Sequence, residues 1–230
     1  MLRSYPDGYF EPHDQRSLYM RTLAITLAVV LASALHAGSP PAKNDRVGMV
    51  SVGGRSSISL FNGAANNSAG TGVGGQFRIR IADRVNTDWF YDYFRSSIGD
   101  YAHRQDQHVG WSVLFYLRDP VLSGAEGRQF IQPYLLAGHC FDYTKQQANN
   151  DPGNFAERWS SAAQAGLGTH FNLTDRMDLS LVGQYMIHLG TDVHAEREDD
   201  EVVFHKERGS SLEGHLLFHV SFNFKLFHAW

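Results

Sequence analysis

The stretch His215-Leu-Leu-Phe-His-Val-Ser-Phe-Asn-Phe-Lys-Leu-Phe-His-Ala-Trp230 decides the fold. Leu216, Phe218, Val220, Phe222, Phe224, Leu226 and Trp230 share one parity, broken only by His228. His215, His219, Ser221, Asn223 and Lys225 share the other, with Leu217 and Phe227 as exceptions. Successive side chains of a strand point to opposite faces, so the segment predicts a strand with one apolar and one polar face. At about fifteen residues it is far longer than the five or six usual in globular sheets.

The two-residue period recurs upstream. Val73, Phe77, Ile79 and Ile81 alternate with Gln76, Arg78 and Arg80. Val85, Thr87, Trp89, Tyr91 and Tyr93 alternate with Asn86, Asp88, Phe90, Asp92 and Phe94, and Val109, Trp111, Val113, Phe115 and Leu117 with His108, Ser112, Leu114 and Tyr116. Segments 161–173 and 177–190 read the same way, the second with Tyr185 on its apolar face. Segment 46–61 is Gly- and Ser-rich, and 129–143 is ambiguous in parity, so that His139 or its neighbour Cys140 could take the polar face. Together these predict eight strands.

Connections alternate short and long. Ile81-Ala-Asp-Arg-Val85 and Leu173-Thr-Asp-Arg-Met177 are tight turns of matching chemistry. Keeping the apolar parity aligned predicts Ile81 opposite Val85 and Leu173 opposite Met177, which also sets Arg78 against Asp88 and Arg80 against Asn86. A third turn-rich connection covers 119–128. On the other side, 62–72, 96–106, 144–158 and 191–211 read as long polar loops, the last carrying the acidic run Glu196–Glu201.

Composition narrows the class. Lys+Arg 20 against Asp+Glu 24 gives a net charge of -4, without the basic excess that phosphate-backbone contacts require, so no nucleic-acid partner is expected. A mean hydropathy of -0.32 excludes a bundle of membrane helices. The single cysteine, Cys140, excludes an intramolecular disulfide framework and multi-cysteine metal sites, and 43% hydrophobic residues argue against disorder. The one continuous apolar run, Leu23–Leu35, has the length of a signal-peptide core and is followed by Ala32-Ser-Ala34 and Ala37-Gly38 as cleavage candidates. The expected division is therefore an upstream extension (1–19) before a start at Met20, a signal peptide (20–37), a short mature segment (38–45) and a strand domain (46–230).

The polar parity is Gly, Ser, Gln, His, Asn, Arg and Asp with little Lys, a set suited to interlocking in a narrow interior rather than to facing water. Trp89, Tyr91, Tyr93, Trp111, Tyr185 and Trp230 on the apolar parity suit a lipid-interface girdle. With an even strand number, an export signal, short turns on one side and long loops on the other, the chain resembles the small OmpA/OmpX-like outer-membrane β-barrels of Gram-negative bacteria. That resemblance implies an all-β, eight-stranded, antiparallel up-and-down transmembrane β-barrel, with the Asp-Arg turns towards the periplasm and the long loops outside. It implies that Phe218, Val220, Phe222, Phe224, Leu226 and Trp230 form the strand read by the barrel-assembly machinery. Partners expected on this reading are outer-membrane lipid and lipopolysaccharide and an extracellular ligand at the loops, with the chain a monomer. Arg78, Asp88, Asp92 and Arg80 are expected to form an interior ion-pair network.

Two other classes compete. His219-Val-Ser221 places a base and a hydroxyl on one strand face, similar to the His-x-Ser pair of some lipid A deacylases. Here Phe222 follows where that family has Asn, and no carboxylate follows in the strand. A soluble lipocalin-like barrel would bind a ligand inside. No His-x-His or His-Glu-x-x-His spacing points to a metal, no cofactor is expected, and an eight-stranded barrel filled by its own side chains predicts no through-pore and no catalytic activity.

Overall fold

A computed structural model of the chain describes residues 47–61, 69–118, 130–190, 192–199, 201–207 and 214–230. The expected extension, signal peptide and short mature segment lie outside the described residues. Ten strands are present: β1 Met49–Phe61, β2 Gly70–Ala82, β3 Val85–Ile98, β4 Ala102–Tyr116, β5 Ile131–Ala148, β6 Phe155–Asn172, β7 Met177–Leu189, β8 Asp192–Glu198, β9 Glu201–Glu207 and β10 Gly214–His228. Eight of them close into an antiparallel barrel in the order β1-β10-β7-β6-β5-β4-β3-β2, and β8 pairs only with β9.

The register fixes the geometry. Stepping sideways from Phe224 on β10 leads through Val52, Phe77, Trp89, Trp111, His139, Ala163 and Ile187, and returns to β10 at Gly214, ten residues away. With eight strands, such a stagger tilts the strands by roughly 40° and leaves an interior that side chains just fill. The outward apolar run on β10 extends from Leu216 to Leu226. At ~3.3 Å per residue and that tilt it climbs about 25 Å, the height of the lipid-facing band of a membrane barrel.

Parity runs as the sequence predicts: Val73, Trp111, Leu167 and Phe218 point outward, exposed, while Arg78, Asp92, His108, Gln164 and Asn223 point inward, buried. The ambiguous β5 resolves with Cys140 inward and fully buried and His139 outward. Inward glycines make room for large neighbours. A Cβ at Gly74 would collide with Asp92, and one at Gly168 with the Tyr134 ring.

Two expectations need correction. Val85 pairs with Ala82 rather than Ile81, because β2 shifts register between Arg80 and Ala82 and so shortens the turn to Asp83-Arg84. The second turn matches its expectation, with the Leu173 amide donating to the Met177 carbonyl at 3.0 Å. Both Asp-Arg turns also present the Arg carbonyl to the next strand, Arg84 to the Tyr116 amide at 2.9 Å and Arg176 to the Lys225 amide at 2.8 Å. The larger correction concerns the loops. Segments 96–106 and 144–158 are mostly strand: β3 and β4 meet across Gly99–Tyr101, and β5 runs to Ala148. Within 191–211, β8 and β9 form a hairpin. The walls therefore continue past the apolar band, and β3–β4 and β5–β6 end in short connections.

Candidate functional site

The lumen is divided by an apolar septum of Phe90, Phe94, Cys140, Ala162, Met186 and Leu217, all buried. Four strands place it by simple spacing: Cys140 lies one inward position from Asp142, Ala162 from Ser160, Met186 from His188, and Leu217 from His215. The Cys140 Sγ lies 3.7 Å from the Met186 Sδ. Polar groups fill both sides.

On the turn side Arg78 is the hub. Its Nε lies 3.5 Å from Asp88 Oδ1, and its Nη1 lies 3.3 Å from Asp178 Oδ1. Its Nη2 donates to Ser180 Oγ at 3.1 Å. Asn223 Nδ2 donates to Asp178 at 2.9 Å, and His170 pairs its Nδ1 with Ser180 Oγ at 2.6 Å and its Nε2 with the Tyr116 hydroxyl at 3.0 Å. Asp92 turns to Arg55, whose Nε lies 3.0 Å away, and Asp88 also lies 3.8 Å from Arg55. Arg80 stacks its guanidinium over the Tyr116 ring, 5.0 Å from the centroid. Buried charges this close need such compensation, because removal from water costs several kcal/mol per ion.

Thus Arg78, Asp88 and Asp92 gather in one network, and Arg80 joins its edge through an aromatic ring. Arg55 and Asp178 carry as much of it and were not singled out by sequence reasoning. Arg55 sits in the Gly/Ser-rich β1, yet its odd parity with Ser57 and Ser59 was the available signal. Small gaps among the described residues of this side include one between Arg55, Gln76 and His219 and one at the turn end by Arg80, Asn86 and Gln132. Each has room for roughly one or two waters, not for a lipocalin ligand.

His219 and Ser221 do not meet. The His219 Nδ1 lies 2.5 Å from Ser57 Oγ and 3.0 Å from Arg55 Nη2. Ser221 Oγ instead lies 3.1 Å from the Gln76 side-chain amide and 3.4 Å from Arg78 Nη2. Both are buried beneath the septum, away from the apolar outer wall.

The loop side is built on histidines. Asp142 lies 3.0 Å from His188 Nδ1, accepts from Ser160 Oγ at 2.5 Å, and lies 3.9 Å from Arg158. Asp106 accepts from Arg104 Nε at 2.9 Å and from Thr144 Oγ1 at 2.5 Å. The His188 ring lies 4.5 Å from that of His215 and 6.2 Å from that of His108, which also lies 5.0 Å from Phe94. Neither ring nitrogen of His108 has a hydrogen-bond partner among the described residues.

The β8–β9 hairpin covers this end. Ala195 and Val202 pack on Ile98, Ala102 and Ala148 of the rim, with Tyr101 and Phe204 against them. The Tyr101 hydroxyl donates to the Ala195 carbonyl at 3.1 Å, Gln146 to that of Val193 at 2.6 Å, and Asn154 to that of Val202 at 2.7 Å. The acidic run forms the hairpin tip, where Glu196 and Glu198 stand beside His205 on the outward face.

The expected girdle residues are spread over the band. Trp89 stacks on Phe77 with centroids 6.0 Å apart and lies 6.5 Å from Trp111, four and five residues from the turn ends of their strands. That places the two tryptophans within the band instead of at its margin. Tyr91, Tyr93 and Tyr185 lie further towards the loop end, and Trp230 lies beyond the end of β10. Tyr143 and Trp159, not singled out from the sequence, pair across β5 and β6 with centroids 4.8 Å apart at the loop-side margin.

The described residues thus define a closed eight-stranded up-and-down barrel with an apolar outside and a filled polar inside, the fold of the small outer-membrane barrels. Neisserial surface protein A has this fold, with a TM-score of 0.52 and 13% identity over 76% of this chain and 96% of that one. The outer membrane protein OprG from Pseudomonas aeruginosa aligns at 0.48 and 16% identity, over 82% and 100% of the two chains. Ail, the attachment invasion locus protein of Yersinia pestis, aligns at 0.44 and 12%, over 76% and 95%. At these identities the likeness is one of fold. No protein-family model matches the chain, and no curated protein matches it in sequence.

Proposed function

We propose that the chain is an integral outer-membrane barrel that works through its loop-end surface, in a structural or adhesive role, without catalysis. The observation that carries this reading is the inversion of polarity: the outer wall is apolar over a band of about 25 Å, while the charges lie inside. Closure leaves no unpaired strand edge in the band, as a lipid environment demands. The septum, the Arg78 network and the β8–β9 hairpin close off the lumen, which argues against conduction. Detergent-extracted outer membrane should contain the chain as a heat-modifiable band, running compact when unboiled; recovery in the soluble periplasmic fraction would overturn the proposal. The lipid A hydrolase reading lacks the contact it needs, since His219 faces Ser57 and Arg55 in a closed interior. Alanine at His219 should leave the acylation of lipid A unchanged by mass spectrometry.

A further inference from the structure

Strand register stacks two unlike rows on the outer wall of β3–β6. Tyr93, Gln107, Tyr143 and Trp159 pair in register across β3–β6, a row that the strand tilt raises by ~3 Å per strand from the upper margin of the apolar band at Tyr93 towards the loop end at Trp159. One outward position further towards the loop end, Thr71, Arg95, Gln105, Lys145 and Glu157 form the next row. Neighbouring strands lie ~4.8 Å apart, so the two cations stand about 10 Å from each other with the Gln105 amide between them. They are held in place by aromatic rings rather than carboxylates. Arg95 Nε donates to the Tyr93 hydroxyl at 2.8 Å, and Lys145 Nζ lies 4.3 Å from the centre of the Phe155 ring. His103 belongs to the row above. Glu157, at the β6 end, is the one carboxylate of the five.

We propose that Thr71, Arg95, Gln105 and Lys145 form a docking surface for the phosphate of an anionic lipid headgroup, with Tyr93, Tyr143 and Trp159 lying against the upper acyl chain. The inference rests on the membrane-spanning reading, because depth in the bilayer is what brings headgroups to this row. Two features favour a lipid over a soluble anion. Each cation sits one outward position above a tyrosine of its own strand, Arg95 above Tyr93 and Lys145 above Tyr143, where headgroup phosphates lie when the rings occupy the interface. The patch is also flat and open, so without an acyl chain on the rings beneath, a free phosphate has little to hold it.

The test uses the full chain refolded into phosphatidylcholine vesicles that contain either dibrominated phosphatidic acid or dibrominated phosphatidylcholine, with tryptophan quenching as readout. In every protein compared, Trp89→Phe and Trp111→Phe remove the two tryptophans that lie within the band, so that Trp159, 78% exposed beside the patch, is the principal reporter. The native chain should associate with the phosphatidic acid roughly five-fold or more in preference to phosphatidylcholine. An Arg95→Gln/Lys145→Gln variant should lose most of that preference, whereas Glu157→Gln should increase it. Equal quenching of the native chain by both lipids, or an unchanged preference in the double variant, would overturn the docking surface while leaving membrane insertion intact. Absence of quenching by either lipid would overturn the membrane reading and this inference with it. Loss of the preference in millimolar inorganic phosphate would reassign the patch to a free anion.

Discussion

The two halves of the lumen both bury arginines and aspartates, and they handle them differently. On the turn side a permanent cation, Arg78, is shared by two carboxylates, and each carboxylate has a further hydrogen-bonding or ionic partner. On the loop side the carboxylates use hydroxyls, Arg104, Arg158 and His188, and the imidazole of His108 has no hydrogen-bond partner among the described residues. An arginine fork satisfies several acceptors in a fixed plane, whereas a neutral imidazole offers one donor and one acceptor. The turn half is therefore the stiffer electrostatic frame, and the loop half the more permissive one.

Removing the hub should break this contrast most severely. Arg78→Ala leaves Asp88 and Asp178 in a buried space without their shared cation, and a loss of about 3–5 kcal/mol is expected. Urea unfolding of the refolded barrel, followed by tryptophan fluorescence, reads it, and an added Asp178→Asn should recover part of the loss. A midpoint within error of the native chain would show that the network is dispensable. Gly168→Leu, in the same half, forces a side chain into the Tyr134 ring and should cost about 1–3 kcal/mol in the same assay. Tyr101→Phe removes one hydrogen bond between rim and hairpin, worth about 0.5–1.5 kcal/mol. It should appear as faster proteolytic cleavage near the hairpin with the barrel midpoint unmoved. The smallest effect belongs to His108→Leu. An imidazole that makes no hydrogen bond can be replaced by an apolar group near neutrality, within about 1 kcal/mol and with either sign. A large loss there would mean that the loop half is as tightly specified as the turn half.

What could be read from the sequence follows the same division. Where the outer wall is apolar, the alternation is apolar against polar, and β2, β3, β7 and β10 are visible to a two-residue period. Beyond the band both faces are polar. Arg104 and Asp106 point inward while His103 and Gln105 point outward, so no hydropathy contrast marks β4 between Ala102 and Gln107, and the stretch reads as a loop. The same blindness hid the last five residues of β5, from Thr144 to Ala148. Arg78 opposite Asp88 followed from turn length and parity, because pairing neighbours is a local matter. Arg78 with Asp178 spans the lumen and depends on barrel closure, which no local spacing encodes. In the hairpin, Val193-x-Ala195 and Val202-x-Phe204 carried a faint apolar alternation, outweighed by the charges between them.

The pairing of β1 with β10 has a consequence for how the molecule is made. Ser57 and His219, in contact across that seam, are separated by 162 positions along the chain. Every other pairing in the barrel joins strands adjacent in sequence or parted by a single hairpin, so each can zip up soon after its second strand emerges. The seam alone is a long-range contact, and its loop-closure entropy makes it the slow, late event of assembly. Until β10 arrives, the exposed edges of β1 and β7 invite pairing with other chains, so the hazard period for aggregation is set by one strand.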